Sequence, residues 1–472
     1  MRRFFKLFII RLLLPVSLLR WLCLKLSQDF LDSDSVPLMK KWIGGLIACS
    51  TVLLIIPLLS GRFTLVDNMV EDSRIWMSDV VIAACKDDPL GGGKDLKLSI
   101  LSVDDSLHQS WGEPYITPRQ KIAEMIRFAA EYHAAAVVVD FDLSRSEAWG
   151  TRTEGDKGLK RYLEQLDQAP AEQMPAIILL HDLRQAADGG KTASSYLRSD
   201  SSLADNRGNI FWASSTFPQE DDQLIRRFNY FEQVNWDKQR NIPSAMLLAT
   251  EMAKHMQHGL SLAKSKQEIR NLIHSMQSES LPMDNQAMPI MLHENHASGI
   301  EVKPYFQLTD KKLSPRYYEG HIVLIGSMHS LTMDKHQTAI GDKFGVELMA
   351  HAIATMVQHG ELKPLEGWPV IAYTLVLLVV MSLILLLPGI VSILIVSATC
   401  ALLIFFPLSI YLYHHGLTLD AAPPILLIEI AEPIIPFILM FVLNVSLIRE
   451  KLQEAVEHMK FEWSGREKES DQ

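Results

Sequence analysis

The chain has 472 residues, 48% of them hydrophobic and 21% charged, with a formal net charge of −10; by length alone that is enough for about three ordinary domains. A net-acidic chain is a poor partner for nucleic acid, whose binding rests on neutralising phosphates with Lys and Arg. The four cysteines, Cys23, Cys49, Cys85 and Cys400, form no zinc-type cluster, and only Cys85 falls outside the basic N-terminal segment and the strongly apolar runs, so no disulfide framework is expected.

Residues 1–41 hold eight basic side chains (Arg2, Arg3, Lys6, Arg11, Arg20, Lys25, Lys40, Lys41) against three Asp. Within them FFKLFIIRLLLPVSLLRWLCLKL is apolar and basic around Pro15. Arg11 and Arg20 argue against a spanning helix and for one lying on the inner membrane surface. WIGGLIACSTVLLIIPLLS (42–60) carries no charge and approaches the roughly 20 apolar residues that a spanning helix needs. It begins far from the N-terminus and lacks a small-x-small cleavage pattern, so it is read as a retained span. Residues 369–388 and 390–413 are equally free of charge. A fourth run, 425–448, is long enough but contains Glu429 and Glu432. Four transmembrane helices are therefore expected, one before and three after a large domain at 61–368. Counting Lys and Arg near the membrane ends keeps the N-terminus in the cytoplasm. Four crossings return the tail 449–472 to the same side, and its Arg449, Lys451, Lys460, Arg466 and Lys468 agree. Residues 61–368 then lie outside the cytoplasm.

The exterior segment alternates strand and helix signals. LKLSILSV (96–103) predicts a strand. PRQKIAEMIRFAAEYH (118–133) predicts a helix, with Pro118 in its first turn and Ile122, Ile126 and Ala129 at helical spacing. AAAVVVDFDL (134–143) predicts a buried strand, completing the crossover that two parallel strands require. PAIILLHD (175–182), GNIFWASS (208–215) and GHIVLIGS (320–327) are further short apolar strands. IPSAMLLATEMAKHMQHG (242–259) and FGVELMAHAIATMVQHG (344–360) are helices closed by Gly. The polar stretches 183–207 and 260–287 predict loops or insertions. The alternation gives an α/β domain with a largely parallel sheet.

In open α/β sheets ligands bind beyond the carboxyl ends of the strands. That rule selects Asp104 and Asp105 after the first strand, Asp140 and Asp142 after the second, His181 and Asp182 after the third, and Gly326 and Ser327 after the last. Gathered at one rim, the acids could hold a divalent cation through oxygen, or a cationic or polyhydroxylated ligand. The ordinary alternative for each Asp is a helix cap or a turn. Arg119 near the rim is either a ligand contact or the partner of one acid, and Trp111 with Gly112 either a pocket wall or a packed turn. There is no G-x-S-x-G, H-E-x-x-H, Gly-rich phosphate loop with Lys, or Cys/His nucleophile arrangement. No catalytic residue, resident metal or cofactor is expected, and the chain reads as a non-enzyme.

With those residues in view, ILSVDDSLHQSWGEPYITPRQKIAEMIRFAAEYHAAAVVVDFDLS resembles the type-two CHASE domain, the extracytoplasmic sensory domain of bacterial cyclases and histidine kinases. GHIVLIGSMHSLTMDKHQTAIGDKFGVELMAHAIATMVQHGEL is similar to that family's closing block, and one helix before and three after the domain is its layout. The resemblance places Asp104, Asp105, Gly112, Pro118, Arg119, Asp140, Gly326, Asp334, Gly345 and His351 on the family's recurrent positions, and adds Asp334 to the ligand-binding candidates. EPYITP departs from the family's run after the Gly, and 183–310 matches poorly. The resemblance also implies a bacterial inner-membrane protein. Family members carry an output domain after the last helix, whereas REKLQEAVEHMKFEWSGREKESDQ is too short for one. It reads as a helix with Leu452, Val456 and Met459 on one face, either a docking element for a partner or a solvated tail.

Glu429 and Glu432 share one helix face at i, i+3. With the fourth helix starting near Pro424 they would sit roughly 8–12 Å inside its outer end, a depth at which acids face a partner or cavity; a later start would make them interfacial. The expected function is a membrane-embedded sensor that binds a ligand or envelope protein outside and acts through a separate membrane or cytoplasmic partner. The alternative is a scaffold subunit of an envelope complex that uses the domain for docking. A transporter built on Glu429 and Glu432, or an envelope enzyme built on the acid rim, ranks below both. The expected partners are the lipid bilayer and that separate protein, with a homo-oligomer as a further option.

Overall fold

Leu98–Val103 (β1), Ala136–Asp140 (β2), Ala176–Leu180 (β3), Ile210–Ala213 (β4), Glu301–Pro304 (β5) and Ile322–Ser327 (β6) form one sheet in the order β5-β1-β6-β2-β3-β4, with every pair parallel. The expected α/β domain with a parallel sheet is what the chain forms. The computed structural model describes residues 64–88, 96–147, 153–185, 191–194, 208–220, 222–236, 238–278, 287–294, 298–309, 313–365, 368–369, 372–373, 375–376, 379–380 and 406–418. The predicted spans 42–60 and 425–448, most of 369–388 and of 390–413, Glu429, Glu432 and the tail with Leu452, Val456 and Met459 lie outside the described residues. Among the described residues no helix is long and apolar enough to cross a membrane.

The strands are continuous apolar runs because helices cover both faces of the sheet. Arg119–Glu131 (α3) and Glu154–Gln168 (α4) bury Ile122, Met125, Ile126, Leu159 and Leu163 against Leu101, Val137, Ile177 and Val323. Ala245–Gln257 (α5) and Gly345–Gln358 (α8) pack on the strands from the opposite face. Residues Gly345 to Val357 of α8 are all buried; the helix is largely apolar on every side, with Glu347, His351 and Thr355 the buried polar members. Thr64–Cys85 (α1), Asp105–Ser110 (α2), Leu262–Ser278 (α6), Tyr305–Thr309 (α7) and Phe406–His414 (α9) complete the described helices. The chain divides into two units, and the sheet belongs to the one formed by Asp79–Lys363 and His414–Gly416.

Two expectations need correction. The stretch 260–287 is not simply a loop, since α6 occupies Leu262–Ser278. Its buried stripe is Ser265, Lys266, Ile269, Ile273 and Met276, and the two polar residues hide the helical period. Lys266 is tolerated there because its Nζ donates to the carbonyls of Ala171 (2.8 Å) and Met174 and to Asn209 Oδ1 (2.6 Å). Within 183–207, residues Asp182–Gln185 and Lys191–Ser194 pair as an antiparallel ribbon.

Candidate functional site

Because all six strands run parallel, their carboxyl ends share one rim. β6 is inserted between β1 and β2; the chain leaving β6 goes to α8 on one face, while those leaving β1 and β2 go to α3 and α4 on the other, which is the arrangement that opens a crevice in such sheets. The segments after β1, β2, β3, β4 and β6 line a cleft of about 770 Å³ there. A smaller cavity of about 300 Å³ adjoins it, and Asp140, Ser215 and Asp334 belong to both walls.

Asp140 is the last residue of β2 and pairs with Gly326. Its Oδ2 is buried without a hydrogen-bond partner among the described residues. Burial, and then the Asp334 carboxylate, pushes the Asp140 carboxyl well above the usual range. Asp334 is exposed, and its Oδ1 accepts from His336 Nε2 at 2.8 Å. Two glycines allow α8 to start this close. A Cβ on Gly345 would fall 2.1 Å from Asp334 Oδ2, and one on Gly326 would fall 2.7 Å from Val346 Cβ.

Arg119 lines the cleft but is only 3% exposed. Its Nη2 donates to the carbonyls of Asp142 (2.7 Å) and Arg145 (2.8 Å), and its Nε lies 3.7 Å from Asp156 Oδ1. Asp156 in turn accepts from the backbone N–H of Glu147 (3.1 Å) and Thr153 (2.9 Å). The pair is a buried clamp on the segment after β2. Arg119 does find an acid, but one in the first turn of α4 rather than one of the acids that follow the strands directly. Asp142 is exposed, and its Oδ1 accepts from Ser144 N at 2.8 Å, a local turn at the cleft wall.

Imidazoles make another wall. His108 and His329 stack with ring centroids 3.7 Å apart and planes 5° from parallel. His108 Nε2 donates to the Pro114 carbonyl at 3.1 Å. Burial and the neighbouring His108 push His329 below the ordinary imidazole value. His181 stacks on Trp212 at 4.9 Å. At the mouth, Tyr115, Leu331 and Met333 are 84%, 62% and 92% exposed. The cleft thus offers a deep acid, two exposed acids, stacked imidazoles and an apolar lip.

The family model of the CHASE2 domain matches residues 50–387. The chain belongs to the CHASE2 family. CHASE2 domains are extracytoplasmic sensory domains, so a sensory role follows in general terms. No curated protein and no solved structure matches the chain.

Within this CHASE2 domain the sequence candidates separate. Arg119, Asp140, Asp142 and Asp334 reach the cleft, as do His181 and Ser327. Asp104 and Asp105 do not line it. Asp104 caps α2, its Oδ1 accepting from Leu107 N at 2.9 Å. Asp105 Oδ1 accepts from both N and Oγ of Ser330 at 2.7 Å, which ties the segment after β1 to the one after β6 and holds its carboxyl low. Trp111 is a packed turn rather than a pocket wall, since it closes α2 and packs against the core. Gly326 serves packing against α8. His351 is also a core residue of α8; neither ring nitrogen has a hydrogen-bond partner among the described residues, and burial pushes it down to about 3.

Sequence reasoning missed His108, His329 and Asp156. The histidines lie in the same strand-end segments as the chosen acids, so extending the strand-end rule along those segments would have found them. Asp156 was signalled by Thr153-x-x-Asp156, a capping box in which Thr153 and Asp156 satisfy each other's backbone N–H.

Proposed function

We propose that the chain is a non-enzymatic, membrane-embedded sensor whose CHASE2 domain stands outside the cytoplasm, binds a ligand in the cleft over the strand ends, and acts through a separate partner. The observation that carries the proposal is Asp140, whose buried Oδ2 has no partner among the described residues. A buried oxygen left unpaired costs about 1–3 kcal/mol. A ligand that brings a cation, an ammonium or a hydroxyl to it recovers that cost. Asp334 and Asp142, on the same cleft, favour a cationic or polyhydroxylated ligand.

Support for the membrane part comes from the sequence and the family. The match at 50–387 begins inside the apolar run 42–60 and ends inside 369–388. Leu375, Val376 and Val379 are 54%, 58% and 43% exposed, and lipid is a natural cover for such side chains. In this reading Glu429 and Glu432 couple the domain to the membrane helices, and Leu452, Val456 and Met459 dock the output partner. Binding moves the sensor only if it distinguishes two states of the domain.

The test is a thermal-shift series on the full chain in detergent, with divalent cations, a polyamine and sugars as probes. Stabilisation by one class that Asp140→Asn and Asp334→Asn both abolish supports the sensing cleft. No shift with any probe favours the second reading, a scaffold that docks another envelope protein. Exposed Tyr115, Leu331 and Met333 at the cleft mouth favour that reading. In that case crosslinks from position 115 or 333 reach a second protein.

A further inference from the structure

A separate cluster forms where α1 ends. Asp88 N donates to the Cys85 carbonyl at 3.1 Å, closing a turn that carries the Asp88 side chain beside the Cys85 thiol. His414 comes from the far end of the sequence, and its Nε2 lies 3.3 Å from Asp88 Oδ2. The Cys85 sulfur, one Asp88 oxygen and one His414 ring nitrogen all lie within 4.8 Å of one another. All three residues belong to the unit that carries the sheet.

The turn is fixed independently of these side chains. His293 Nδ1 donates to the Asp88 carbonyl at 3.0 Å, and Glu294 N donates to the Lys86 carbonyl at 2.7 Å. Cys85 is buried, while Asp88 and His414 are half-buried. The site therefore has a soft donor at its floor and two donors on the side that an ion would approach.

We propose that Cys85, Asp88 and His414 bind a divalent transition-metal ion of the Zn²⁺ class. One thiolate, one imidazole and one carboxylate suit such an ion, whereas Mg²⁺ and Ca²⁺ take oxygen donors. At ordinary Zn²⁺ bond lengths, tetrahedral donors stand roughly 3.3–3.6 Å apart. Asp88 and His414 already meet that spacing at 3.3 Å, and the sulfur, within 4.8 Å of both, would close by up to about 1.3 Å to reach it. Three protein donors leave a fourth position for water or an outside ligand. Burial and the nearby Asp88 push the free thiol up to about 11, so an arriving ion displaces a proton and binding weakens as pH falls. A bound ion would join the end of α1 to residue 414 across most of the chain's length. The competing account is an Asp88–His414 ion pair beside a packed cysteine, which binds no metal.

The experiment titrates the full, chelator-stripped chain in detergent with Co²⁺. The expected result is one Co²⁺ per chain, with a near-ultraviolet sulfur-to-cobalt band, tetrahedral visible bands and displacement of both by Zn²⁺. Cys85→Ser removes the sulfur band, and Asp88→Asn or His414→Gln each weakens binding by about tenfold or more. No sulfur band in the wild-type chain overturns the site without reference to any variant. A band that persists in Cys85→Ser also overturns it, because it belongs to another cysteine.

Discussion

Oδ2 of Asp334 occupies the space that a Cβ on Gly345 would need, 2.1 Å away. The obstacle is the tip of an exposed side chain, which can swing aside. Gly345→Ala should therefore cost about 1 kcal/mol or less, yet displace the carboxylate from the cleft wall and break its 2.8 Å bond with His336. Gly326 is the contrast, because its Cβ would meet Val346 Cβ at 2.7 Å. That atom is fixed to the α8 backbone, so Gly326→Ala should cost about 1–3 kcal/mol through overpacking. Urea unfolding of both variants checks the ranking. A larger loss at 345 than at 326 would show that the Asp334 side chain is not free to yield.

Asp140 makes stability depend on pH. Its folded pKa is raised by burial and then by Asp334. Between the ordinary aspartate value and the raised one, the folded chain holds a proton that the unfolded chain has released. Stability therefore falls as pH rises through that interval and levels off above it. Asp140→Asn removes this dependence. Thermal midpoints measured from pH 4 upward should show the variant gaining on the wild type until the raised value is passed. A difference that stays constant with pH would mean that Asp140 titrates as an ordinary surface acid.

How far the sequence foretold this depends on what each residue is surrounded by. β2 and β6 were legible because both of their faces are buried, so AVVVD and IVLIGS read as unbroken apolar runs. β5 was not, because Glu301–Pro304 is a half-buried edge strand in which Glu301 and Lys303 break up the apolar run. α6 was hidden by Lys266, which only three acceptors from distant segments make tolerable. At the site, the strand-end rule picked out Asp140 and Asp142, Arg119 was noted beside that rim, and the family resemblance supplied Asp334; all four line the cleft. The adjacent acids 104 and 105 looked equivalent, yet one caps a helix and the other reaches Ser330. The His108–His329 stack joins segments far apart in sequence, and no local pattern encodes such a contact.

Arg226 draws three acids together. Its Nε and Nη2 donate to the two oxygens of Asp79 at 2.7 Å, while Glu220 and Asp222 each accept at 2.6 Å. The guanidinium is 5% exposed, and its acids are 20–25% exposed. Arg226→Met leaves Asp79 and Asp222 without this counter-charge and Glu220 with Arg227 at 3.7 Å, which should cost about 2–4 kcal/mol. Arg226→Lys keeps the charge but not the forked geometry, and should fall between the two. Chemical unfolding at neutral pH gives the ranking. If methionine were neutral, Arg226 would have no part in holding the end of α1.

Lys266 should give stability the opposite pH slope from Asp140. The side chain is fully buried, and burial, with Arg270 adding to it, pushes its amine down to about 7. The unfolded chain keeps that proton up to the ordinary lysine value of about 10.4. Between these values the unfolded chain binds more protons than the folded one, so stability rises with pH. Lys266→Met removes the slope and leaves Asn209 Oδ1 and two carbonyls short of a donor, at a cost of about 1–3 kcal/mol. The gap between wild type and variant should therefore be present at pH 6 and widen steadily from pH 7 to 9. Urea midpoints at pH 6, 7.5 and 9 measure it. Parallel pH dependences for the two chains would mean that the three oxygens hold the ammonium charged throughout, with hydrogen bonding outweighing burial.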